Sequence, residues 1–208
     1  MKKFSSQENI NKLLASTPSK PKCDRVIYRG YTILVTMPCW NEEGKVGPGV
    51  KAVPKTLVDT VCVVDNGSID NTAKEADEAG ALVITHPVNL GAGGGIRTGL
   101  EYGRINDYDL LAVLAGDNQD DPNDLYQAVD RVIDSDLDYV QGSRWMKEGK
   151  RENMTYSRTI LTWVYSFLFR ILFRTKITDA TNGFRVMKRG VLENPKLNLW
   201  QDWLIQYE

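Results

Sequence analysis

Leu110-Leu-Ala-Val-Leu-Ala-Gly-Asp-Asn-Gln-Asp-Asp-Pro122 is the stretch whose reading decides the fold. An apolar run stops abruptly at Gly116 and gives way to Asp117, Asn118, Gln119, Asp120 and Asp121. A strand buried on both faces reads this way when it carries ligands to the edge of a parallel sheet. Pro122 then opens a helical pattern. An oxygen-rich strand end suits a hard cation, Mg²⁺ or Mn²⁺, that could neutralise a diphosphate. The bland alternative is an acidic turn in which Asp121 caps the next helix, and the stretch alone leaves both readings open.

On either side the same pattern repeats. Tyr31 to Met37 is β-branched, apolar and stops at Pro38, which predicts a first buried strand with Asn41, Glu42 and Glu43 beyond its end. Thr60 to Asp65 predicts a second, followed by the Asn66-Gly67-Ser68 turn and a helix for which Asp70 is the expected cap. Ala81 to Thr85 predicts a third, and His86 after it, a lone histidine at a strand end, reads as a solvated or capping residue. Asn89 to Gly99 is a glycine-rich entry to a helix. Gly91-x-Gly93 is present but Ile96 takes the third glycine position of a dinucleotide fingerprint, so packing, turn and phosphate contact stay open. Asp138 to Gln141 predicts a last strand before Gly142-Ser143-Arg144. This alternation predicts an α/β fold, Rossmann-like, with a mostly parallel twisted sheet and helices on both faces. Asp65, at a parallel strand's C-terminal end, is placed to contact a base or ribose.

A net charge of -1 argues against nucleic-acid binding, and Cys23, Cys39 and Cys62 share no metal or disulfide spacing, so a reducing cytoplasm is expected. Residues 1–30 read as a polar lead-in, weakly ordered over its first 25 residues, and no run is long enough to span a bilayer. Residues 145–157 read as a mobile loop. Arg158 to Arg174 is the most apolar helix candidate, with aromatics between flanking arginines, which fits either a membrane-surface helix or one buried on the sheet. The chain stops at Glu208 inside an amphipathic pattern, so a longer natural protein is expected.

Six segments together resemble the family 2 glycosyltransferases of the GT-A fold, especially the branch of dolichyl-phosphate mannosyltransferase and bacterial polyprenyl-phosphate sugar transferases. They are Met37-Pro-Cys-Trp-Asn-Glu-Glu43, Val64-Asp-Asn-Gly-Ser-Ile-Asp-Asn-Thr72, Asn89 to Leu100, Gly116 to Pro122, Gly142-Ser-Arg144 and Asp179-Ala-Thr-Asn-Gly-Phe-Arg185. The resemblance covers residues 31–208 and implies a GT-A catalytic domain over that span. It implies that Pro38, Asn41, Glu42, Asp65, Gly91, Arg97, Gly116, Asp117 and Asn118 line the nucleotide-sugar site and that Asp117 and Gln119 hold Mg²⁺ or Mn²⁺. Arg144, Asn182 and Arg185 fall in segments similar to those facing the donor diphosphate or an acceptor phosphate.

The implied activity is inverting transfer of a hexose from a UDP- or GDP-sugar to an acceptor such as a polyprenyl phosphate, by a cytoplasmic protein peripheral to the inner face of a membrane. Asp117, Arg144 and Arg185 are the expected catalytic groups, and for a hydroxyl acceptor Asp202 or Asp179 is the candidate base. Two departures stand out: Ala115 replaces the first acid of the family's metal motif, and Asn66 replaces the commoner second aspartate of the Asp65 turn. Two rivals stand beside this reading, the first of them kept in play by Ala115. One is a nucleotide-sugar-binding domain that has lost turnover with Ala115; the other is an NAD-dependent oxidoreductase using the 89–99 loop, with Asp109 as the ribose acid.

Overall fold

A computed structural model of the chain describes residues 7–19, 24–118, 120–145, 156–174 and 178–194. Gln119, Asp202 and residues 146–155 of the charged connection lie outside them, as does Cys23.

The strands are β1 (Ile33–Cys39), β2 (Thr60–Asp65), β3 (Leu82–Thr85), β4 (Leu110–Val113), β5 (Tyr139–Gln141) and β6 (Arg185–Lys188). They form one sheet in the order β3-β2-β1-β4-β6-β5, with β1 to β4 mutually parallel and β6 antiparallel to both its neighbours. The expected mostly parallel sheet is therefore present, with one reversed strand that four residues of sequence did not announce. Alternation along β1 sends Ile33, Val35 and Met37 to one apolar cluster and Leu34 to the other. The first cluster lies beneath α2 (Val46–Ala52), α3 (Thr72–Glu78) and α5 (Asp124–Asp134). The second lies beneath α4 (Gly91–Ile105) and α1 (Gln7–Ser16).

Helix α1 corrects the expectation of a weakly ordered lead-in. Ile10 and Leu14, four residues apart, are buried in the second cluster, and Tyr102 of α4 donates to the Pro18 carbonyl at 2.8 Å. Pro38 is tolerated near the end of a central strand because of its position. It lies two residues beyond Thr36, on the edge facing β4, where regular pairing stops at Thr36 and Val113.

The glycines of α4 show packing and a turn in the Asn89 to Gly99 segment. Gly95, Gly99 and Gly103 recur every four residues on the face against the sheet. A Cβ on Gly95 would stand 2.9 Å from Pro38 Cβ, one on Gly99 would collide with Thr36 Cγ2, and one on Gly103 with Leu111 Cδ2. These glycines let the helix lie close on β1 and β4. Only Gly91, at φ +78°, serves the entry turn.

Helix α6 (Tyr156–Phe173) contrasts with the others. Ile160, Leu161, Trp163, Val164, Phe167, Leu168, Ile171 and Leu172 are all exposed, Leu161 at 70% and Leu172 at 74%. These side chains are therefore not buried on the sheet. Ser166, 2% exposed, is its anchor and accepts a hydrogen bond from Ala180 N at 3.2 Å.

Candidate active site

The C-terminal ends of β1, β2 and β4 meet at one rim, and the loops that leave them carry most of the expected residues. Cys39, the last residue of β1, marks its floor. It is buried, and burial, reinforced by the negative charges of Glu42, Asp65 and Asp117, pushes its thiol up to about 12. Three carboxylates from three different loops thus stand near enough for each to be felt at one sulfur. Gly116 closes the space between β1 and β4, since a Cβ there would collide with Cys39 Sγ. Cys39 escaped the sequence reading because a small apolar residue ending a strand carries no chemical signal of its own.

Asp65 is 2% exposed, and its Oδ1 accepts from Ser68 N at 3.0 Å, which bends the Asn66–Ser68 turn back over the strand end. Asn41, in the left-handed region at φ +54°, supports the same turn. Its N–H donates to Ser68 Oγ at 2.9 Å and its Oδ1 accepts from Ile69 N at 3.0 Å. Glu42 pairs with Lys45 at 2.8 Å. Asp70 is the expected helix cap, but the N-cap of α3 is Asn71; Asp70 accepts from the Thr72 N–H and hydroxyl, and although burial raises its carboxyl these bonds outweigh that and hold it below the usual range.

Asn66 explains its own departure from the commoner aspartate. Its Nδ2 donates to Asn89 Oδ1 at 3.0 Å and the Gly91 carbonyl at 2.8 Å, and its Oδ1 accepts from Leu90 N at 3.0 Å. A carboxylate could not supply those donations. His86 Nδ1 lies 2.9 Å from the same Oδ1, so the network assigns the proton to Nδ1 and leaves Nε2 2.9 Å from the Thr98 hydroxyl, whose single proton is shared with the Gly94 carbonyl at 3.1 Å. Burial and then the charge of Arg97 lower His86 to about 4, so it is neutral at pH 7; it is buried in a side-chain network, where a solvated or capping residue is expected from the sequence. Arg97 is 2% exposed on the same helix.

On β4's exit loop, Asn118 takes φ +64° and its Nδ2 donates to the Lys45 carbonyl at 2.9 Å, tying this loop to the one after β1. Asp120 Oδ2 turns back to accept from Ala115 N at 3.1 Å, and Asp121 Oδ1 accepts from Asn123 N at 3.0 Å ahead of α5. Asp121 thus closes the turn before α5, whose N-cap is Asn123 and not Asp121 as expected, and Asp117 lies at the rim. Among the described residues no three His, Cys, Asp or Glu side chains converge as a metal cage. The donor types nonetheless fit a hard cation: carboxylate and amide oxygens, with a diphosphate and water to complete the shell.

Arg144 lies on the same side, close enough to Asp120 for its charge to reach that carboxylate, and is ion-paired to Asp179 at 2.7 Å. Asn182 caps its own turn, with Oδ1 accepting from Phe184 N at 2.9 Å. Arg185 is 3% exposed at the start of β6; its Nε donates to the Gly183 carbonyl at 3.1 Å, and its Nη2 is buried without a hydrogen-bond partner among the described residues. Asp109, the ribose acid of the oxidoreductase alternative, sits at the opposite rim, where it accepts from the Thr32 N–H at 2.8 Å and its hydroxyl at 2.7 Å. A cleft of about 590 Å³ also lies at that far end, against the first residues of β2 and β3, away from the carboxylates.

A mixed α/β sheet with carboxylates at the C-terminal rim of its parallel strands is the arrangement of the GT-A glycosyltransferases. Solved structures share the fold: glucosyl-3-phosphoglycerate synthase from Mycobacterium tuberculosis, crystallised with Mn²⁺, UDP and phosphoglyceric acid, superposes with a TM-score of 0.63 at 19% identity, over 90% of this chain and 61% of that one. Mannosyl-3-phosphoglycerate synthase from Rubrobacter xylanophilus does so at 0.62 and 22% identity, over 78% and 54%. Residues 34–194 match Glycosyl transferase family 2, and the chain belongs to that family. It is 30% identical to an undecaprenyl-phosphate mannosyltransferase of Micrococcus luteus over 77% of this chain and 68% of the relative. It is also 30% identical to a polyprenol monophosphomannose synthase of Mycolicibacterium smegmatis, over 79% and 64%. An uncharacterized protein of Methanocaldococcus jannaschii is 29% identical over 74% of this chain and 63% of its own length, so the chain spans about two thirds of these relatives.

Proposed function

We propose that the protein transfers a hexose from a nucleotide diphosphate sugar to a polyprenyl phosphate, with inversion at the anomeric carbon, at the inner face of a membrane. The observation that carries this reading is the gathering of Glu42, Asp65 and Asp117 around Cys39 at the rim of the parallel strands, in a member of family 2. Asp65 and Glu42 bind the base and ribose side of the donor, and Pro38, Gly91 and Arg97 shape that side of the pocket. Asp117, with Gln119, would hold Mg²⁺ or Mn²⁺, which when bound supplies positive charge against the diphosphate. In the transfer, an acceptor phosphate oxygen forms the new bond to the anomeric carbon. The bond from that carbon to the β-phosphate oxygen breaks, and its electron pair leaves on the nucleoside diphosphate. Arg144 and Arg185 place N–H donors where phosphate charge gathers.

The acceptor side is supported by α6. Its sequence contains no Asp or Glu, it exposes a broad apolar surface, and Arg170 and Arg174 flank that surface. Trp163 stacks on Phe167 at 5.6 Å, and such aromatic side chains favour the headgroup boundary of a bilayer. No helix among the described residues is long and apolar enough to cross a membrane.

The test is incubation with UDP- and GDP-hexoses, undecaprenyl phosphate and Mn²⁺, with mass spectrometry of the lipid extract. The proposal expects a lipid phosphate heavier by one hexose with release of the matching nucleoside diphosphate. Nucleotide binding without any glycosylated lipid or other product favours instead a binding domain that has lost turnover with Ala115.

A further inference from the structure

The Asp179 side chain is 0% exposed and is surrounded by donors. Its Oδ2 accepts from the Arg144 backbone N–H at 3.1 Å and from Arg144 Nε at 2.7 Å. Its Oδ1 accepts from Arg144 Nη2 at 3.0 Å, Thr181 N at 3.2 Å and the Thr181 hydroxyl at 2.9 Å. Thr181 Oγ1 in turn accepts from Arg144 Nη2 at 2.6 Å. Burial raises the carboxyl, but the Arg144 and Thr181 bonds outweigh it and hold Asp179 below the usual carboxylate range. Five donors occupy a group with about four lone-pair sites, which leaves it unsuited to taking a proton from substrate.

The loop that carries Asp179 is itself braced. Gln141 Nε2 donates to the carbonyls of Asp179 at 2.9 Å and Asn182 at 2.8 Å, and the Thr178 hydroxyl donates to Ser143 Oγ at 2.7 Å. Ala180 N is held by Ser166 of α6. Arg144 keeps 20% of its side chain exposed in front of this buried support.

We infer that Asp179 is a positioning residue, which fixes the Arg144 guanidinium through both its fork and its backbone at the rim where a phosphate oxygen of donor or acceptor arrives. The inference rests on the glycosyl-transfer reading above for what Arg144 meets, and it replaces the role of base for Asp179. An arginine without this support must be ordered at each encounter, and the buried carboxylate removes that entropic cost beforehand. Pairing also neutralises part of the field an anion feels, so orientation, and not added charge, is what Asp179 contributes. This separates the two effects by sign. Asp179→Asn makes the rim more positive, which by charge alone tightens anion binding, whereas loss of orientation weakens it.

Calorimetric titration of the full chain with inorganic pyrophosphate tests this. Arg144→Ala and Asp179→Asn are each expected to weaken binding about tenfold, and the double variant to bind no worse than Arg144→Ala alone. Free guanidinium ion is expected to restore pyrophosphate binding to Arg144→Ala by seating against Asp179, and to do nothing for the double variant. Should Asp179→Asn fail to fold, Thr181→Val, which keeps every charge, is expected to weaken binding about two- to threefold, and only while Arg144 is present. Unchanged or tighter binding by Asp179→Asn, multiplied losses in the double variant, or guanidinium rescue without Asp179 would each overturn the inference. Sugar transfer by a protein lacking this binding pattern removes the positioning role alone. The pattern without transfer removes the glycosyl-transfer reading alone.

Discussion

Acidification should unlatch the loop that opens α4, and His86 sets where. In the fold His86 is neutral, held between Asn66 and Thr98, with a pKa of about 4 against an ordinary 6.5. The groups felt at it are Arg97, which lowers it further, and Asp65, which raises it slightly. Because the folded value is depressed, the unfolded chain takes up the proton first. The stability is fully present above pH 6.5 and is lost as pH falls toward 4. With these two values the loss between pH 7 and pH 4.5 is about 2 kcal/mol, or about 4–8 °C in Tm for a chain of this size. Urea unfolding followed by circular dichroism at the two pH values measures it, with His86→Gln as the reference because glutamine keeps a donor and an acceptor but cannot titrate. Other acid-titrating groups are common to both chains and cancel. Wild type should lose about 2 kcal/mol more than His86→Gln over this interval. Parallel losses in the two chains would refute the buried, neutral histidine and the anchoring of Leu90 and Gly91 through Asn66.

Two further outcomes follow from packing and surface. Gly99→Ala drives a methyl into Thr36 and should destabilise by about 1–3 kcal/mol despite alanine's better helix propensity, with partial recovery when Thr36→Ala is added; a neutral or stabilising Gly99→Ala, read by denaturant midpoint, contradicts the close helix–sheet contact. Leu161→Glu with Leu172→Glu alters two exposed positions of α6, so stability should change by less than about 1 kcal/mol while sedimentation with anionic vesicles is lost; retained vesicle binding places the membrane contact elsewhere.

Much of this molecule is legible in the chain because its strands are buried on both faces and end in turn residues. Ile33–Cys39, Thr60–Asp65, Leu82–Thr85 and Leu110–Val113 fall on or within a residue or two of the predicted runs. Strand β6 is not legible: its four residues, Arg-Val-Met-Lys, show no period, and they become a strand only by lying between β4 and β5. Helix α1 hides for a related reason, since only Ile10, Leu13 and Leu14 mark an apolar face within a polar segment. In the site, the sequence places Glu42, Asp65 and Asp117 at the ends of β1, β2 and β4, and the fold brings them together. It cannot show which polar side chains are committed to one another. Asn41 reads as a ligand, and its bonds to the Asp65 turn carry no signal in the sequence; Asp179 reads as a candidate base and grips an arginine 35 residues away. Glycine also reads ambiguously, because a backbone that must approach a phosphate and one that must approach a sheet call for the same residue.

The central claim is that the rim at Asp117 holds a nucleoside diphosphate with a divalent ion. Calorimetric titration of wild type and Asp117→Ala with UDP and with GDP, each with and without Mn²⁺, tests it most directly. Wild type is expected to bind one of the two nucleotides at least about tenfold more tightly with Mn²⁺, and Asp117→Ala to remove this gain. Binding that ignores Mn²⁺, or a gain that survives Asp117→Ala, would contradict it.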